Sequence, residues 1–205
     1  MTSVIFDFDG TIADSFLAVL RELYMVVYHR QLPPEDVERL RHHALLQALR
    51  QLQIPWWRAL VAARGVRSHM ANDMSTIPPV QGIVDVVREL AKTHALFVLS
   101  SNDASNVRAF LELHGFADNF IAISGNADPL RKAPALRRLL HKQQVDPKTS
   151  WYVGDQPWDV RAAHSARMNA AAVTWGYSTK TSLIQQHPEA LITSASELLS
   201  LFTKQ

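Results

Sequence analysis

Apolar residues in this chain follow two periodicities that occupy different stretches. Short runs rich in Val, Ile, Phe, Leu and Ala recur at Val4–Phe8, Ala95–Leu99, Phe120–Ile123, Ser150–Val153 and Ala170–Thr174. They are nearly continuous rather than alternating, the pattern of strands covered on both faces. Between the later runs the apolar positions take helical spacing, at Ile83, Val86, Val87 and Leu90 and again at Leu136, Leu139 and Leu140. Strands alternating with helical segments predict βαβ units and a parallel, doubly wound α/β sheet.

Residues 15–79 depart from that rhythm. Phe16, Leu20, Leu23 and Val27, then Leu40, Ala44, Leu45, Ala48, Leu49 and Leu52, keep helical spacing with no convincing strand. Pro33-Pro34, Pro55 and Pro78-Pro79 divide the stretch into three or four helices. The expected organisation is an α/β core of residues 1–14 and 80–205, interrupted by a helical cap at 15–79. Asp14-Ser15 is expected to mark the hinge into that cap, and Trp56-Trp57 to pack within it. The tail supplies a short apolar Ala190–Ile192 run and a helix around Leu198, Leu199 and Leu201.

Composition narrows the function classes. Of the 205 residues 47% are hydrophobic and 20% charged, which suits one folded domain with a sizeable core rather than disorder. The net charge of +2 is spread along the chain without a Lys/Arg block, which argues against a nucleic-acid partner. There is no cysteine, so disulfides, thiolate nucleophiles and Cys-ligated metals are excluded. The nine histidines show no ligand spacing, and the adjacent His42-His43 pair cannot share a helical face. No signal-like start and no membrane-length apolar window is visible, so a cytoplasmic monomer without a membrane partner is expected.

In a doubly wound sheet, ligands bind beyond the carboxyl ends of the strands. There the first run delivers Asp7, Asp9, Gly10 and Thr11; the second Ser100, Ser101, Asn102 and Asp103; the fourth Gly154, Asp155 and Asp159. Arg131 and Lys132 precede the helix between the third and fourth runs. Crowded carboxylates repel one another unless a cation relieves them. Hard oxygen ligands without His or Cys point to Mg²⁺, with Lys, Ser and Asn as donors to a phosphate. Of two alternating acids, one can attack phosphorus while the other moves the proton. Gly10 permits a sharp departure of the chain and a close backbone approach.

At these residues the sequence resembles the haloacid dehalogenase superfamily phosphatases. The matching elements are Asp7-Phe8-Asp9-Gly10-Thr11 for DxDGT, Ser101-Asn102 closing the second strand, Lys132 before a helix, and Gly154-Asp155-Gln156-Pro157-Trp158-Asp159 for GDxxxD. Val173-Thr174-Trp175-Gly176-Tyr177 is similar to the phosphoglycolate-phosphatase-like branch. The resemblance implies a Rossmann-like core with an inserted helical cap, and a Mg²⁺-dependent phosphatase acting on a small phosphorylated metabolite. It implies Asp7 as nucleophile and Asp9 as general acid/base. Asp7, the Asp9 carbonyl and Asp155 would surround the metal, with Asp159 nearby orienting a water or Lys132. Gly10, Thr11, Ser101, Asn102 and Lys132 would bind phosphate.

A dehalogenase would not need Asp9, and a phosphonatase needs a cap lysine, whereas the first lysine is Lys92. A phosphomutase and a non-catalytic phosphate- or partner-binding module remain as alternatives. Arg167 stands where the family usually has a glycine, predicting either left-handed strain or a different helix end. Pro157-Trp158 within GDxxxD is also unusual, although proline is tolerated in a first helical turn. The cap arginines Arg21, Arg30, Arg39, Arg41, Arg50, Arg58, Arg64 and Arg67 favour a second anionic group on the substrate.

Overall fold

The computed structural model describes residues 2–40, 43–59, 61–62, 74–128 and 131–203, without the side chains of Glu38 and Met74. Its centre is a six-stranded sheet of β1 (Ser3–Phe6), β2 (Ala95–Leu99), β3 (Ala122–Ser124), β4 (Ser150–Gly154), β5 (Asn169–Val173) and β6 (Ala190–Ile192). All pairings are parallel, in the order β3-β2-β1-β4-β5-β6. The chain winds outward from β1 to β3, then returns to β1's other side and winds out to β6. The direction therefore reverses beside β1, where such sheets open a crevice. The register sets Phe6 level with Val98 and Val153, so residues following all three emerge at one edge.

Alternation along the strands divides the core. Val4 and Phe6 join one apolar cluster with Val98, Val153 and Val173, covered by Ile83, Val86, Val87 and Leu90 of α4 (Ile83–Leu90), by α5 (Ala104–Leu113) and by α9 (Ala195–Thr203). Ile5, Phe97, Leu99 and Tyr152 face the other side, against Leu136, Leu139 and Leu140 of α6 (Lys132–Gln143), Val160, Ala162 and Ala163 of α7 (Pro157–Ser165), and Leu183 of α8 (Lys180–Ile184). Both faces are covered, as the near-continuous apolar runs require. The Ala190–Ile192 run becomes a sixth strand, held at the edge of the sheet by pairing with β5. β1 ends at Phe6 rather than Phe8, because the Thr11, Ile12 and Ala13 N–H groups converge on the Phe8 carbonyl and turn the chain.

Between β1 and α4 lie α1 (Phe16–Tyr28), α2 (Pro34–Leu40) and α3 (Leu45–Gln51), followed by helical residues at 56–59 and 61–62. Phe16, Leu20, Leu23 and Tyr24 form one buried face of α1 and join the first cluster. The outgoing and returning segments lie side by side, with Asp14 N–H donating to Pro78 O at 2.9 Å and Val80 N–H to Ile12 O at 2.8 Å.

Trp56 and Trp57 do not pack as expected: they are 67% and 52% exposed. Arg21, Arg30, Arg39, Arg50 and Arg58 are also exposed; Arg30 lies over the Tyr24 and Tyr28 rings and Arg39 pairs with Asp36. Arg41, Arg64, Arg67, His42 and His69 lie outside the described residues. Arg167 has φ 62°, the left-handed conformation in question at this departure, and Pro157 occupies the first turn of α7. No helix among the described residues is long and apolar enough to cross a membrane.

Candidate active site

Immediately beyond β1, Asp7 stays in the ladder through its N–H, which donates to Val153 O at 2.8 Å. Its side chain is buried: Oδ1 accepts from Phe8 N–H at 2.8 Å, and Oδ2 lies 2.7 Å from Lys132 Nζ. Lys132 opens α6 and reaches inward, 2% exposed, with Nζ also 2.8 Å from Asp159 Oδ1 and over the Tyr152 ring. Asp159 sits in the first turn of α7, where its Oδ2 accepts from Gln156 N–H at 3.0 Å. A carboxylate at a helix start is favoured by the exposed N–H groups there. One ammonium thus bridges two acids 152 positions apart in sequence.

Asp155, at the end of β4, is fully buried. Its Oδ2 accepts from Tyr177 N–H at 2.6 Å and Gln156 Nε2 at 3.3 Å, whereas Oδ1 is buried with no partner among the described residues. Asp7, Asp155 and Asp159 each offer an oxygen within 4.8 Å of the others. Of these three buried acids two pair with Lys132, and among the described residues Asp155 Oδ1 is left unsatisfied. An all-oxygen set with excess negative charge is what a hard divalent cation takes; these three residues could hold one.

The electrostatics express the crowding. Burial, with the charges of Asp159 and Asp7, pushes the Asp155 carboxyl well above the carboxylate range. Burial pushes Asp159 up to about 7, with Lys132 opposing. Burial alone would lower the Lys132 pKa, but Asp159 and Asp7 outweigh it and hold the ammonium well above its ordinary value.

Asp9 is partly open and set apart from this cluster. Oδ1 accepts from the Ser15 hydroxyl at 2.9 Å and Oδ2 from Asn102 Nδ2 at 3.2 Å. Burial and then the Asp7 charge raise its pKa to about 6, while Ser15, Asn102 and Lys132 restrain it. A carboxyl titrating near neutrality can both give and take a proton.

Glycines make the close packing possible. Gly10 has φ 76°, and a Cβ there would stand 2.6 Å from Asp155 Oδ2; at Gly176 it would stand 2.3 Å from Asp155 Cβ. Only residues without a side chain admit the buried carboxylate between them.

At the end of β2, the Ser100 hydroxyl is buried and accepts from Asn102 N–H at 2.9 Å, while Ser101 is half-buried. Asn102 Oδ1 accepts from Asp103 N–H and Asn106 Nδ2. Asp103, rather than Ser101 or Asn102, occupies the N-cap position of α5. Thr11 is fully buried, its Oγ1 without a partner among the described residues and its carbonyl accepting from Trp175 Nε1. The structure therefore brings together Asp7, Lys132, Asp155 and Asp159, and ties Asp9 to Asn102. Ser15, Gln156 and Tyr177 also touch these acids. Sequence reasoning assigned none of them a role there, and their only signals were places beside or within the matched segments.

A family model described as haloacid dehalogenase-like hydrolase matches residues 4–173. A protein of Synechococcus elongatus named phosphoglycolate phosphatase is 30% identical over 209 residues, covering 100% of this chain and 98% of that one. A phosphoglycolate phosphatase of Chromobacterium violaceum is 29% identical over 199 residues, covering 88% of each. Among solved structures, a haloacid dehalogenase-like hydrolase from Streptococcus pneumoniae is similar with a TM-score of 0.76 at 20% identity over 98% of both chains, a likeness of fold.

Proposed function

Since the chain belongs to the haloacid dehalogenase-like hydrolases and is a phosphatase among them, we propose that it hydrolyses a small phosphomonoester through an aspartyl-phosphate on Asp7, with Mg²⁺ as cofactor. The observation carrying this reading is the buried Asp7, Asp155 and Asp159 set, in which Lys132 bridges Asp7 and Asp159 and Asp155 Oδ1 has no partner among the described residues. Mg²⁺ held by Asp7, Asp155 and the Asp9 carbonyl, with Asp159 close by, would supply positive charge against the phosphate oxygens.

The residues divide the chemistry as follows. A carboxylate oxygen of Asp7 attacks phosphorus, and the bond from phosphorus to the ester oxygen breaks. Asp9, entering as the neutral acid, gives its proton to the departing alkoxide, so an alcohol leaves. Asp9, now a carboxylate, takes a proton from water as that water attacks phosphorus; the bond to Asp7 breaks, releasing phosphate. A pKa near 6 supports both duties. Lys132, Ser101 and Asn102 hold the phosphate, and Gly10 and Thr11 form the adjoining turn.

In this reading residues 15–79 are the cap that closes over the site and selects the substrate, and residues 1–14 and 80–205 are the core. Phosphoglycolate is the substrate to test first, because the two relatives above carry that name. The protein is taken as a cytoplasmic monomer without nucleic-acid or membrane partners. The test is phosphate release from a panel of phosphate esters with Mg²⁺, alongside Asp7→Asn. Mg²⁺-dependent release from one or more esters, reduced about 10³-fold or more in the variant, is expected. No release from any ester would overturn the reading, and isomerised sugar phosphate with little free phosphate would mark a mutase.

A further inference from the structure

Resting on that assignment of Asp9, we infer that Tyr177, acting through the Ser15 hydroxyl, is a positioning residue that aims the Asp9 carboxyl at the leaving group. Ser15 Oγ lies 2.9 Å from Asp9 Oδ1 and 2.7 Å from the Tyr177 hydroxyl, although Ser15 and Tyr177 are 162 positions apart. Ser15 is fully buried and Tyr177 nearly so. Proton bookkeeping gives this chain a direction. A serine hydroxyl has one proton, and a carboxyl oxygen that carries none can only accept, as both do in the Asp9 carboxylate and as Oδ1 does in the acid protonated on Oδ2. With Ser15 donating to Asp9, the Tyr177 hydroxyl is the donor to Ser15 Oγ. Tyrosine, serine and aspartate then form a line of donors ending on Asp9.

Three contacts hold the far end of that line. The Tyr177 N–H donates to Asp155 Oδ2 at 2.6 Å, its carbonyl accepts from Leu45 N–H at 2.8 Å, and its ring stands edge-on to Phe16 with centroids 5.7 Å apart. A phenol so fixed has little freedom to follow Ser15. It holds Ser15, which in turn holds Asp9 Oδ1. Asn102 Nδ2 takes Asp9 Oδ2 from the other side. Clamping both oxygens prevents rotation of the carboxyl about its terminal bond. Without the clamp the acid samples orientations that miss the leaving oxygen, and a displacement of roughly 1 Å can reduce turnover on the order of 10²-fold. Packing alone would need only the ring, which phenylalanine also provides; the hydroxyl is what reaches Ser15.

The test uses Tyr177→Phe, Ser15→Ala and the double variant. Each is assayed for kcat and KM on the best ester of the panel, for Mg²⁺ affinity, and for thermal unfolding. Tyr177→Phe should lower kcat about tenfold with KM nearly unchanged, and Ser15→Ala at least as much. Because Tyr177 acts through Ser15, the double variant should fall no further than Ser15→Ala alone. Mg²⁺ affinity should persist in Tyr177→Phe, since Asp155 is held by the main-chain N–H, which the substitution keeps. Unchanged kcat in a folded Tyr177→Phe, or independent multiplication of the two losses, would overturn the inference while leaving the phosphatase reading intact. A wild type that releases no phosphate from any ester would overturn that reading, and the inference with it.

Discussion

Lys132→Met removes the one ammonium seated between Asp7 and Asp159 while keeping a side chain of similar length. Lys132 Nζ lies 2.7 Å from Asp7 Oδ2 and 2.8 Å from Asp159 Oδ1, and all three side chains are nearly inaccessible. At these separations each pair gains about 6 kcal/mol of Coulomb attraction at an effective dielectric of roughly 20, against which stands the desolvation of the lysine and its partners. Breaking such buried pairs leaves a net cost of about 3–5 kcal/mol. For a chain of this size that is a fall in Tm of roughly 6–20 °C. The cost is limited because a buried carboxyl can take up a proton instead. In the variant, the folded-state pKa of Asp159, already about 7, rises further above its unfolded value. Up to about pH 7 this carboxyl is protonated in the folded state of both proteins, so its share of the deficit relative to wild type is small there. That share grows as pH rises above about 7, where the wild type ionises and the variant still holds the proton. Thermal unfolding of wild type and variant in chelator at roughly pH 4.5 and pH 8 measures it. A Tm deficit that is absent, or the same at both pH values, would refute the placement of Lys132 as counter-charge to these acids.

Three further outcomes follow from the same geometry. Asp155, Asp159 and Asp9 all have raised folded pKa values, so the folded state binds more protons, and chelated wild type should lose stability between about pH 4 and pH 7. Mg²⁺ should offset that loss, and Asp155→Asn should show both a shallower pH dependence and a weaker Mg²⁺ effect in calorimetry. Gly176→Ala should destabilise the fold by about 1–3 kcal/mol and weaken Mg²⁺ binding on the order of tenfold, because its Cβ would displace Asp155; wild-type Mg²⁺ titration in this variant would contradict the packing. Arg167→Gly, at an exposed residue with φ 62°, should raise stability by up to about 1 kcal/mol with unchanged activity, and a fall in Tm would show that the left-handed residue is not strained.

Much of the fold was legible in one dimension, because burial on both faces writes itself into a strand as a continuous apolar run. Ala95–Leu99 needed no knowledge of its neighbours, and Asp7 stood out as an acid at the margin of such a run. The matched elements at Asp7 to Thr11, Lys132 and Gly154 to Asp159 were likewise readable as a set. The family relationship followed from their order. Surface exposure was not readable at Trp56 and Trp57, since an aromatic pair on a helix looks the same whether its face is covered or bare. The resemblance had set Asp159 near Lys132, but sequence could not say that Lys132 also reaches Asp7, that Gly10 and Gly176 clear room for Asp155, or that Tyr177 reaches Ser15. Local patterning by itself determined the strands, the run of helices after the first of them and the kinds of chemical group at the strand ends. Only the tertiary structure decided which oxygen meets which donor, because hydrogen bonds and Coulomb forces act over a few ångströms between residues whose separation along the chain carries no such information.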